Sequence, residues 1–69
     1  MTQKELNYVE DAIGHEENII KILNQTKSNL QDENLISFIE NEYNIHTTMK
    51  EKLMNLLEVK SNEWSTINE

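Results

Sequence analysis

Apolar residues recur at steps of three and four along the first part of the chain. Leu6, Val9, Ile13, Ile20 and Leu23 form one row, and Glu16 stands in the same row where a core residue is expected. This is the period of a helix face. Thr2 followed by Glu5 matches a capping box, in which a hydroxyl and a carboxylate take up backbone N–H groups left open at a helix start. One helix is therefore expected over about residues 3–28. Ala12 and Ile19 widen its stripe to one side and Ile22 lies toward the other, a breadth that suits contact with more than one neighbouring helix.

The stretch KSNLQDENL is the only good break. Ser28, Asn29 and Asp32 compete locally for backbone hydrogen bonds. Asp32 is a natural cap for a second helix, with Glu33 favouring its positive end, and Leu30 is expected to tuck between the helices at the bend. So short a connection makes the helices antiparallel neighbours. The second helix is expected over about 33–60, with Leu35, Phe38, Ile39, Ile45, Met49, Leu53, Leu56 and Leu57 inward. Residues 61–69, carrying Trp64 and Ile67, read as a helical extension or a frayed tail of the single domain 1–69.

A hairpin alone leaves much of this surface wet, because two helices cover only one side of each other. Pairing two hairpins into a four-helix bundle encloses the core. The fold class expected is thus all-α, an antiparallel two-helix hairpin that dimerises into a four-helix bundle, with a higher oligomer as the alternative. The covering surface is assigned to Leu6, Val9, Ile13, Ile20, Leu23, Phe38, Ile45, Met49, Leu53 and Leu56. Length points the same way. A chain of 69 residues without Cys or Pro is at the margin of offsetting its ordering entropy.

Charge changes the picture chiefly by exclusion. Thirteen acidic residues against six lysines, with no arginine, give a net charge of -7. That argues against nucleic acid, which needs cations to displace phosphate counterions and arginine forks to read bases. No apolar run approaches the roughly 20 residues that span a bilayer. The start MTQKELN has no apolar segment behind it and does not read as an export signal, so a cytoplasmic site of synthesis is expected.

With the bend near residues 30–32, residues whose numbers sum to about 62 come level across the pair. Glu16 then faces His46, and Glu42 falls about one turn away. Carboxylates with a neutral imidazole suit iron or manganese, and di-metal bundles use Glu-x-x-His pairs. Here Glu42 and His46 are four apart, and Ala12 and Tyr43 occupy the places three before His15 and His46. The competing account of Glu16 and Glu42 is structural: pairing with His46 or with a partner's lysine, since an unpaired buried carboxylate is costly. His15 is read as bonded to Asp11 on the surface. Gly14 costs about 1 kcal/mol in helix propensity relative to alanine, with a close helix approach as the expected compensation. No phosphate loop, H-E-x-x-H motif or calcium loop is present, and no serine has a base and acid beside it, so no enzyme activity is expected.

Two segments, ELNYVEDAIGHEENIIKILNQ and LQDENLISFIENEYNIHTTMKEKLMNLL, resemble the small spore coat proteins of the coat protein F family of endospore-forming Firmicutes. The likeness covers about residues 5–57. It rests on Tyr8, Glu10, Asp11, the Gly14-His15-Glu16 stretch, Leu30-Gln31-Asp32 and the acidic, aromatic helix that ends with His46. The resemblance implies a ferritin-like bundle and a coat or sporulation-associated structural protein. It would be made in the mother-cell cytoplasm and meet other coat proteins. It supplies no catalytic residues. Three functions are carried forward: a noncatalytic helical assembly protein without cofactor; a metal-binding bundle holding iron or manganese at Glu16, Glu42 and His46, with a storage or redox role; and a regulatory adaptor that binds another protein through its acidic outer surface or C-terminal helix.

Overall fold

A computed structural model describes the backbone through Asn68 and the side chains through Lys60; the side chains of Trp64 and Ile67 lie outside the described residues. Two helices account for it, α1 (Gln3–Ser28) and α2 (Glu33–Asn68), with no strand among the described residues. The start of α1 carries the full capping box. Thr2 Oγ1 accepts from the Glu5 N–H at 3.1 Å, and Glu5 Oε1 accepts from the Thr2 N–H at 2.8 Å. The hydrogen bond from the Thr2 backbone N–H, with a lesser contribution from the Thr2 side chain, holds the Glu5 carboxyl below the usual carboxylate range.

The bend is closed by local hydrogen bonds on both sides. The Asn29 and Leu30 N–H groups turn back to the Thr26 and Lys27 carbonyls, and the Asn29 amide donates to the Gln25 carbonyl. Asp32 then caps α2, its Oδ1 accepting from the N–H groups of Asn34 and Leu35. Leu30 is half-buried at the bend. Lys27 and Glu40 close this end with an ion pair at 3.0 Å.

The hairpin is a rod of 55 × 15 × 12 Å, its length set by the 36 residues of α2. Its Cα radius of gyration is 16.0 Å, against about 11 Å for a compact chain of this length. Consequently there is almost no interior. Among the described residues only Ile13 and Glu16 are buried.

The inward side of α2 differs from the expected one. Ile36, Ile39, Glu42, His46, Thr47, Lys50, Leu53, Leu57 and Lys60 are partly covered, whereas Leu35, Phe38, Ile45, Met49 and Leu56 are exposed. The physical reason is that α2 carries two apolar rows side by side, and only one fits against α1. Gly14 also departs from expectation. A Cβ placed there would meet nothing within 4 Å, so no close approach inside the hairpin requires the glycine.

Candidate functional site

The polar residues that interrupt the apolar rows meet at mid-hairpin. Glu16 arrives from the inward row of α1 and is 8% exposed. His46 comes from the inward row of α2, and its Nδ1 lies 2.6 Å from Glu16 Oε2, a short contact in which Nδ1–H donates to the carboxylate when Glu16 is ionised. The residue numbers sum to 62, the level pairing expected from a bend near 31. On the other side of the ring, Nε2 faces Glu42 Oε2 at 3.9 Å, an electrostatic contact rather than a hydrogen bond. Glu42 reaches the ring from one turn earlier on α2, and its side chain is 35% exposed.

One imidazole is thus flanked by two carboxylates. Even with the ring protonated, the cluster keeps one negative charge. Glu16 is engaged on Nδ1, which makes it an orienting group for the ring, so Nε2 and the Glu42 carboxylate are the groups left to face a third one. Among the described residues no set of three or more His, Cys, Asp or Glu side chains is placed to hold a metal ion.

The other candidates fall apart from this cluster. Leu6, Val9, Ile20, Leu23 and Leu53 are half-covered between the helices with Ile13 at their centre, while Phe38, Ile45, Met49 and Leu56 are exposed. His15 is exposed and makes no hydrogen bond with Asp11, which corrects the surface pair expected between them. A half-open groove of about 360 Å³ lies near the bend between Leu23, Lys27, Ile39, Glu40 and Tyr43, with no serine, threonine, cysteine or histidine on its wall. Thr47 Oγ1 is buried with no hydrogen-bond partner.

Sequence reasoning missed Ile36 as an inward residue and missed the Lys27–Glu40 pair. Opposite charges flanking the bend were the available signal for the pair. No family model matches the chain, and neither the curated proteins nor the solved structures compared with it contain a match. No helix among the described residues is long and apolar enough to cross a membrane.

Proposed function

We propose that this chain is a noncatalytic helical assembly protein whose hairpin completes its core by pairing with a second copy in a four-helix bundle. One observation carries the reading. Leu35, Phe38, Ile45, Met49, Leu56 and Val59, all large and apolar, stand 42–59% exposed along α2. The hairpin exposes 5509 Å², about 1,000 Å² more than a compact chain of its mass. A standard stable interface covers about 800 Å² per partner. The resemblance of residues 5–57 to coat protein F proteins is what supports reading such an assembly as a spore coat or sporulation component.

Sedimentation equilibrium over a wide concentration range tests the assembly, alongside an Ile45→Ala variant on the exposed face of α2. A concentration-dependent dimer weakened by the substitution supports the reading, and a folded monomer throughout refutes it. Cofractionation with the coat of sporulating cells tests the location.

A second reading draws on the convergence at His46. A metal there would take Nε2 and Glu42, with Glu16 orienting the ring as an outer carboxylate. Calorimetric titration with iron(II) or manganese(II), repeated on Glu42→Gln and His46→Ala, tests it. Stoichiometric uptake lost in both variants would establish a centre, and no uptake by the folded protein would end the proposal.

A further inference from the structure

The exposed row of α2 is more regular than its exposure alone shows. Leu35, Phe38, Glu42, Ile45, Met49, Lys52, Leu56 and Val59 follow one another at alternating steps of three and four. That is a coiled-coil seam, and it lies one position, or about 100°, around the helix from the row that faces α1. Six of its eight members are exposed apolar side chains. The other two are Glu42 and Lys52, of opposite charge. Lys52 is exposed and makes no ion pair with a described residue of its own chain.

We propose that two copies pair antiparallel along this seam, in the register where residue numbers sum to 94. The inference rests on the assembly reading and deepens it by naming the surface, the direction and the register. In that register all eight positions find a partner: Leu35 with Val59, Phe38 with Leu56, Ile45 with Met49, and Glu42 with Lys52, each twice by symmetry. Alternating steps allow slips of seven residues, but each slip leaves six positions paired and sets Glu42 and Lys52 against apolar residues. Only one register both overlaps fully and matches the charges. The lysine also answers the deficit at the polar cluster, because it reaches Glu42 on the side away from Glu16, where one negative charge is uncompensated. Asn41, Thr48 and Asn55 flank the seam without charge, so no like-charge contact opposes the pairing.

The first helix agrees independently. The two-fold axis crosses α2 level with Thr47, and the Glu16–His46 contact makes that level residue 15 on α1. Residues of α1 whose numbers sum to 30 are then level across the dimer. Tyr8 and Ile22, the two large apolar residues exposed along the middle of α1, satisfy that sum. Their row is also displaced about 100° from the inward row, in the same sense as on α2. Because the helices are antiparallel, equal rotation puts both rows on one side of the hairpin. The Lys27–Glu40 pair belongs by the same geometry to the opposite side.

The test uses the full chain, which lacks cysteine. Leu35 and Val59 are about 36 Å apart along one helix, so a disulfide between cysteines placed there must join two chains. In a glutathione redox buffer, the Leu35→Cys/Val59→Cys double variant should be recovered mostly as covalent dimer, and either single variant should not. Lys52→Glu sets like charges at both pairs and should raise the dimer dissociation constant by about tenfold or more, with Glu42→Lys added to it restoring assembly at unchanged helicity. If sedimentation shows a dimer but the double variant fails to link, or Leu35→Cys links to itself, the register is overturned while the assembly reading stands. A monomer at all concentrations overturns both.

Discussion

Removing His46 should destabilise the protein more than removing Glu16, although the two share one contact. His46→Ala leaves a carboxylate that is 11% exposed with no other partner among the described residues. An unsatisfied buried group costs about 1–3 kcal/mol, more when charged, and breaking a fully buried pair costs about 3–5 kcal/mol. His46 is 22% exposed, so water reaches the site in part, and a cost of about 2–3 kcal/mol is expected. Glu16→Leu instead removes the buried charge and continues the row of Ile13 and Ile20. The imidazole left behind keeps Glu42 and solvent, so the change should stay within about 1 kcal/mol.

The decisive quantity is the interaction between the two substitutions. In the Glu16→Leu background the cost of His46→Ala should fall to lost packing, giving a coupling of at least about 1 kcal/mol. Urea unfolding followed by far-ultraviolet circular dichroism measures it, with all four proteins at one chain concentration, because any association adds to apparent stability. If His46→Ala costs the same in both backgrounds to within about 0.5 kcal/mol, the 2.6 Å contact carries no net energy and the reasoning fails.

Three further outcomes follow from single side chains. Gly14→Ala should stabilise the protein by about 1 kcal/mol, since the added methyl meets open space and helix propensity improves; a loss in urea midpoint would reveal a neighbour that the proposed pairing omits. Thr47→Val removes a buried hydroxyl that has no partner while keeping the side chain's shape, so a gain of about 0.5–1 kcal/mol is expected in thermal unfolding, and a loss of similar size would expose a hidden hydrogen bond. The Glu5 carboxyl is held low by its bonds to Thr2, so its share of cap stability is full above the ordinary carboxylate range and disappears as pH falls through the lowered value. The Thr2 amide resonance should titrate below the ordinary glutamate range and lose that titration in Glu5→Gln; a midpoint at the ordinary value contradicts the cap.

The parts of this structure legible in the sequence are those fixed by local chemistry and a short bend. Thr2, Glu5 and Asp32 each act within three residues of themselves, so their roles follow from type and spacing. Glu16 and His46 could be brought together because both helices rise by about 1.5 Å per residue from a bend too short to shift their level. Rotation is another matter. The rows through Ile36, Ile39, Leu53 and Leu57 and through Leu35, Phe38, Ile45 and Leu56 are both apolar and lie side by side. Composition cannot assign one of them to α1, and reading them as a single broad face merged a row that packs on α1 with one that the hairpin leaves exposed. Asp11–His15 and Gly14 failed for a related reason: spacing permits a contact or a close approach without requiring it.

In the proposed pairing, the charged residues of the seam have a role that apolar ones cannot fill. A heptad row of leucine, isoleucine and methionine is nearly as well packed after a slip of seven residues, so burial alone leaves several registers close in energy. Glu42 and Lys52 break that degeneracy because either slip buries both charges against apolar side chains, at several kcal/mol by order of magnitude. In the proposed register the two His46 residues also lie only about 3 Å apart along the bundle axis, which gathers both Glu16–His46 pairs into one polar layer at the centre. Polar layers of this kind trade stability for uniqueness. Glu42→Leu/Lys52→Leu should accordingly leave the protein as stable or more so, yet dissolve its single register. Added to the Leu35→Cys/Val59→Cys protein, the pair should reduce the yield of covalent dimer, and sedimentation should detect mixed or larger species. Undiminished linking with a single dimeric species would mean that apolar shape alone sets the register and that the two charges are incidental to it.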